Sequence, residues 1–175
     1  DYTGSSNPYI TTSLFVNGTY NNAASGTYTS VYSFPYNNTG NPHGDYFGGG
    51  NMPKTKAYIS QTGSLWGQAY QRSTKTLFVS ALVRRFAGLG PLGTGGIYKI
   101  DMSNPSSASG ALPFINVNTI GINTGADLRN SSDCDSISSH PFLPSHDVAM
   151  SYEVGKRGIG GIDYDQKNNT LWLVN

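Results

Sequence analysis

Five side chains that can hold a metal ion crowd into one short polar stretch of the chain. Two carboxylates in an Asp-x-Asp pair, two histidines and one further carboxylate lie within fifteen residues: Asp133, Asp135, His140, His146 and Asp147. Carboxylate oxygens suit Ca²⁺, whereas imidazole nitrogens suit Zn²⁺. The alternative is structural, because turn aspartates accept backbone hydrogen bonds and both histidines stand near prolines. The sequence therefore leaves a Ca or Zn site open and otherwise predicts no cofactor.

Common catalytic patterns are missing from this sequence. Ser145, His146 and Asp147 are adjacent, whereas a working hydrolase triad converges from separated segments so that each side chain faces the next. The nucleophile elbow, the two-histidine zinc helix and the phosphate loop do not occur in the chain. We therefore predict no catalytic residues, and keep a metal-dependent hydrolase as an alternative function that uses the cluster above.

Aromatic side chains in a long early loop suit sugar binding, because their rings can stack on a sugar. Tyr36, Tyr46 and Phe47 lie among Gly, Asn and Pro residues and predict a carbohydrate-binding surface. Trp66 and Trp172 instead fall at or inside predicted strands, where we expect core positions. Four sequons predict sites of glycosylation in a cell that performs it, at Asn17, Asn37, Asn130 and Asn168.

Two stretches that begin at Gly67 and Gly161, 94 residues apart, follow one pattern. Each has a Gly, a short strand ending in Tyr, a polar turn, and a second strand that starts at Leu77 or Leu171. Apolar β-formers on either side of a polar turn predict a hairpin, here written twice. Repeated hairpins are typical of β-propeller blades. Because the spacing is about twice a common blade of roughly 40–50 residues, we expect a degenerate blade or a long insertion between the copies.

The remaining segments alternate between strand signals and loops dense in Gly, Pro, Asn and Ser. Asn17-Gly18 is a strong two-residue hairpin signal, Pro35 should end the ladder of the strand before it, and Asp147 could cap a short helical turn through Val154. Strands are predicted at Ile10–Val16, Tyr28–Phe34, Ala57–Ser60, Ile97–Asp101 and Leu112–Ile120. Long loops are predicted at 37–56, 88–96 and 123–147.

Composition bounds the class of protein. A chain of 175 residues with 37% hydrophobic residues can bury one core, so we predict a single all-β domain over 1–175. With 12% charged residues and a formal net charge of +1, the chain offers no basic field for nucleic acid. No stretch approaches the roughly 18 apolar residues of a membrane span. The single cysteine, Cys134, excludes an internal disulfide.

The final strand signal, Leu171–Asn175, predicts a hydrophobic strand with an unpaired edge. Exposed edges recruit partners by strand addition. We expect this edge to pair with the remainder of a longer surface protein or with another copy of the chain.

Several motifs spread over most of the chain belong together, and the most specific of them is Arg84–Tyr98. The others are Asn7-Pro8, Thr12–Gly18, Gly63–Phe78, Pro144–Asp147, Val154–Lys156 and Gly160–Asp163. With these motifs the chain resembles the N-terminal β-propeller-like region of large bacterial cell-surface proteins with SdrD B-like and DUF11-type repeats. The resemblance implies secretion, propeller-like antiparallel blades that form a partial propeller or a fragment of one, and a noncatalytic extracellular role in adhesion or in a structural layer or filament. It brings no established site residues.

Overall fold

The computed structural model describes residues 7–38, 53–129 and 147–175, and their regular structure is almost entirely antiparallel β-sheet. The first sheet contains β1 (Tyr9–Ser13), β2 (Thr29–Pro35) and β3 (Lys54–Tyr58), in that order, and the one-turn helix α1 (Ile59–Thr62) follows. The second sheet is a four-stranded meander of β4 (Leu65–Gln71), β5 (Thr76–Ala81), β6 (Gly96–Asp101) and β7 (Ala111–Asn116). The third sheet pairs β8 (Gly161–Asp165) with β9 (Thr170–Val174). The all-β prediction is confirmed.

Both copies of the repeated pattern form the predicted hairpin. Tyr70 pairs with Leu77 across β4 and β5, and Tyr164 pairs with Leu171 across β8 and β9. The last turn residue is Lys75 in the first copy and Asn169 in the second, with φ values of 54° and 56°. The two turns therefore share one backbone conformation as well as one length.

The three sheets are stacked, and the second sheet is covered on both faces. Its first face packs Leu77, Val79 and Tyr98 against the first sheet, which contributes Val31 and Ala57. Burial of apolar surface is the main stabilising contribution in such a stack. The opposite face meets the third sheet in a cluster whose main members are Ala69, Phe78, Ile97, Ile162, Tyr164, Leu171 and Leu173. In that cluster the ring of Phe78 stacks on Tyr164 with centroids 5.9 Å apart.

The first strands of the three sheets are neighbours. Thr11 Oγ1 of β1 donates to Gln68 Oε1 of β4 at 2.7 Å. On the other side of β4, Gln166 Nε2 donates to the Tyr70 carbonyl at 2.6 Å, and Arg72 N–H donates to Gln166 Oε1 at 3.0 Å. The repeated hairpins thus touch each other at a separation of 94 residues. The described part of the interval between them contributes β6 and β7, which complete the second sheet.

Local signals were overruled at several places. Asn17-Gly18 does not form a hairpin turn, because Gly18 N–H donates to the Phe86 carbonyl and Gly88 N–H donates to the Gly18 carbonyl, at 2.8 and 2.9 Å. Gly18 has a φ of 118°, which glycine adopts readily, and it forms a parallel bridge with Ala87 in a distant loop. β3 begins inside the predicted loop 37–56. The segment after Asp147 folds as consecutive turns and contains no regular helix, although Asp147 Oδ1 accepts the predicted capping hydrogen bond from Met150 N–H.

Two buried polar side chains, Lys56 and Tyr98, have hydrogen-bond partners inside the stack of sheets. Lys56 Nζ donates to the carbonyls of Asn104 and Ser107 at 3.1 and 3.0 Å, which ties the loop between β6 and β7 to β3. Burial lowers the pKa of the Lys56 amine, an effect that the Asp101 carboxylate opposes. The Tyr98 hydroxyl accepts from Leu92 N–H, and burial raises the pKa of Tyr98 to about 12. Tyr98 therefore stays neutral at physiological pH.

Candidate functional site

Of the five predicted metal ligands, Asp147 is within the described residues, and its carboxylate is buried. Its Oδ2 accepts from Phe86 N–H at 3.0 Å, and its Oδ1 accepts from Met150 N–H at 3.3 Å. Arg129 Nη1 lies 3.6 Å from Oδ2, and the two side chains are 1% and 0% exposed. Both oxygens of this carboxylate therefore already have protein partners.

Arg129 connects Asp147 to the loop that follows β5. Its Nη1 donates to the carbonyls of Arg84 and Ala87 at 3.2 and 2.7 Å. Its Nε and Nη2 each donate to the Asp127 carboxylate at 2.9 Å. Charge-assisted bonds of this kind position both partners strongly. The contacts give Asp147 and Arg129 a structural role, which is to hold the segment 84–87 in place.

The other predicted metal ligands, Asp133, Asp135, His140 and His146, lie outside the described residues. Within the three described ranges, no three His, Cys, Asp or Glu side chains stand close enough together to hold a metal ion. The Ca or Zn site remains a prediction.

An exposed cation–aromatic cluster forms where β1 and β4 meet the loop after β5. The guanidinium carbon of Arg84 lies 3.9 Å from the ring centroid of Phe15 and 5.9 Å from that of Trp66. Trp66 is 52% exposed, so its predicted core position is wrong. Burial alternates along β4, so Leu65 is buried while the next side chain, Trp66, is exposed.

The predicted sugar-binding aromatics are only partly within the described residues. Tyr36 follows β2 and is 64% exposed, and the neighbouring Asn37 donates its N–H to Asn7 Oδ1 at 2.9 Å. An exposed ring beside side-chain amides has the chemistry that sugar stacking requires. Tyr46 and Phe47 lie outside the described residues, so the structure does not show whether the three aromatics meet.

The sequons differ in their accessibility. Asn37 and Asn168 are exposed, Asn17 is partly buried, and Asn130 lies outside the described residues. In the turn of the third sheet, Asn168 Nδ2 donates to Asp165 Oδ2 at 2.6 Å, and this bond contributes most to lowering the pKa of Asp165. Glycosylation remains a prediction, with Asn37 and Asn168 as the accessible positions.

The third sheet presents an outward surface that sequence reasoning missed. We call it the Trp172 face, and it contains the two cross-strand pairs Gly161–Val174 and Asp163–Trp172. Trp172 is 64% exposed and Val174 is 68% exposed, so the core position expected for Trp172 is wrong. The repeat gives no signal for this exposure, because the position equivalent to Trp172 is Phe78, which is 6% exposed beneath the third sheet.

The chain matches no protein family model, no curated protein and no solved structure. No helix in the described ranges has the length and apolar character needed to cross a bilayer.

Proposed function

We propose that this chain is a noncatalytic extracellular cell-surface domain that acts in adhesion or in structural assembly. The observation that carries the proposal is the contrast between the covered second sheet and the outward Trp172 face. The second sheet buries both faces against neighbouring sheets, whereas the third sheet exposes a tryptophan and a valine. Exposed apolar surface of this kind marks a site of interaction.

A β-propeller-like arrangement is the scaffold that we propose. Three antiparallel sheets are stacked face to face, and their first strands, β1, β4 and β8, lie side by side. The second sheet is a four-stranded meander, as propeller blades are. The second sheet then buries one face against the first sheet and the other against the third, as inner units of repeat architectures do.

The surface chemistry supports recognition at the outside of a cell. Charged residues make up 12% of the chain, and the formal net charge is +1, so contacts depend on aromatic and hydroxyl side chains. Exposed aromatics include Trp66, Tyr36 and Tyr152. The motif resemblance to bacterial surface proteins, strongest at Arg84–Tyr98, supports the same location.

Protease treatment of intact cells that naturally produce this protein tests the proposal. We expect peptides from residues 53–129 to appear in the supernatant while an intracellular marker protein stays intact. Beads coated with the purified chain should also attach to such cells or to one another. Recovery of the chain solely from the interior after lysis, with no attachment by coated beads, would contradict the proposed function.

Carbohydrate binding is a second candidate, favoured by the 64% exposure of Tyr36 beside asparagine side chains. On a glycan array we expect Tyr36→Ala to reduce binding about tenfold, since a stacked ring contributes on the order of 1 kcal/mol or more. Tyr152→Ala is the matched control, because Tyr152 is also exposed but lies in a different segment. Equal binding by the two variants would remove Tyr36 from any sugar site.

A further inference from the structure

The repeat allows the uncovered Trp172 face to be compared with an equivalent face whose covering partner is visible. In the first hairpin the same positions are Gly67, Ala69, Phe78 and Ser80. All four are buried, and the third sheet covers them. An alanine Cβ at Gly67 would lie 2.8 Å from the backbone nitrogen of Ile162, which shows how closely the covering sheet approaches.

The sheet that covers the first hairpin presents aliphatic and aromatic side chains to it. The third sheet covers the first hairpin with an apolar face made of two cross-strand pairs, Ile162–Leu173 and Tyr164–Leu171. Any partner of the Trp172 face should therefore be an antiparallel sheet that presents aliphatic and aromatic side chains from its first two strands.

The first sheet of the same chain carries such a face on its outward side. Its inward side contains Val31, which packs into the core with the second sheet. Alternation along the strands then places two pairs outward, Ile10–Phe34 and Thr12–Tyr32. Ile10 is 38% exposed and Thr12 is exposed, while both rings are half-buried. We call this surface the Ile10 face.

We infer that the Trp172 face docks onto the Ile10 face of a second copy of this chain. The contact is head to tail and repeats the packing of the third sheet on the second. Thr12 and Tyr32 bring hydroxyl donors to a surface that carries the Asp163 carboxylate, with Asp165 two residues further along the same side of β8. A formal net charge of +1 leaves little repulsion between copies. The inference rests on the structural-assembly role proposed above and assigns that role to sheet faces instead of strand edges.

Sedimentation velocity of the purified chain over a concentration series tests this docking. We expect the wild-type chain to associate and Trp172→Asp to weaken association about thirtyfold or more, as loss of a buried tryptophan anchor does. Ile10→Asp should weaken it from the opposite face. An equimolar mixture of these two variants should form a dimer that grows no further, because each retains one intact face.

Three further variants keep the test independent of folding defects. Gly161→Ala should weaken association without lowering stability, because no atom lies within 4 Å of the added Cβ in the single chain. Thr12→Asp serves as a second Ile10-face variant at an exposed position. Tyr152→Ser, which is exposed outside both faces, should associate like the wild type.

Two results would overturn the inference: a wild-type chain that stays monomeric throughout the series, or association that Trp172→Asp leaves unchanged. Either result leaves cell-surface exposure and bead attachment to cells untouched, so failure of the docking is distinguishable from failure of the proposed function.

Discussion

Replacing Asp147 with alanine is expected to lower the free energy of unfolding by about 3 kcal/mol, the lower end of the cost of breaking a buried ion pair. The substitution removes the acceptors of Phe86 N–H and Met150 N–H, and it takes a buried carboxylate partner from Arg129. The retained bonds between Arg129 and Asp127 keep the effect from being larger. Urea unfolding of both proteins, followed by tryptophan fluorescence, measures the change.

Asp163→Ala is the matched control for this prediction. Asp163 is an exposed carboxylate on β8, and its Oδ1 accepts from the adjacent Tyr164 N–H. We expect its replacement to change stability by no more than about 0.5 kcal/mol, as surface substitutions usually do. If the two alanine variants unfolded at the same urea concentration, the buried network around Arg129 would not stabilise the chain as described. The same experiment with added Ca²⁺ or Zn²⁺ shows whether either ion stabilises the wild-type chain.

Gly67→Ala is expected to lower the free energy of unfolding by about 2 kcal/mol, because overpacking a close interface forces the backbone or side chains to move. The added Cβ would lie 2.6 Å from Ser80 Oγ and 2.8 Å from Ile162 N. The first of these neighbours can rotate, but the second is backbone of the covering sheet. The third sheet must therefore shift away from the second, which also weakens the stacking of Phe78 on Tyr164.

The repeat supplies its own control in Gly161→Ala. Gly161 occupies the equivalent position, yet an added Cβ there has no neighbour within 4 Å. At concentrations where the chain is monomeric, we expect Gly161→Ala to match the wild type in thermal unfolding, while Gly67→Ala unfolds at a lower temperature. Equal stability of the two variants would show that the third sheet does not pack on the second as closely as observed.

The same pair of glycines separates folding from assembly. Gly67 lies beneath a sheet of its own chain, whereas Gly161 lies in the Trp172 face, which we propose to meet a second copy. An added methyl group at Gly67 should therefore lower the free energy of unfolding. An added methyl group at Gly161 should instead weaken the association between copies. The prediction depends on the repeat and would not follow from the exposure of Trp172 by itself.

Much of the fold could be predicted from local pattern. The two hairpins form as expected because a polar turn between β-forming runs determines both strand pairing and turn conformation over a few residues. Pro35 ends β2 as predicted, since proline cannot continue a ladder. The candidate sites could not be predicted from local pattern in the same way. Metal ligation and sugar stacking depend on side chains that only the folded chain brings together.

Two places show where local reasoning fails. Asn17-Gly18 has the composition of a tight hairpin, but hydrogen bonds to Phe86 and Gly88 hold it in a bridge to a distant segment. Trp66 lies in a predicted strand, yet burial alternates along β4 and leaves its side chain exposed. In each case the packing of segments far apart in the chain outweighed a local preference worth at most about 1 kcal/mol.

Three properties of this protein can be read from residue types and short spacings: it is all-β, one hairpin pattern occurs twice, and few of its residues carry a charge. Each of them depends on interactions within a few residues of the chain. The direct contact of the two hairpins, the burial of Asp147 against Arg129, and the difference between the covered Phe78 and the exposed Trp172 depend instead on long-range packing. Burial is set by which sheet lies above a residue, and two copies of one pattern cannot encode that difference locally.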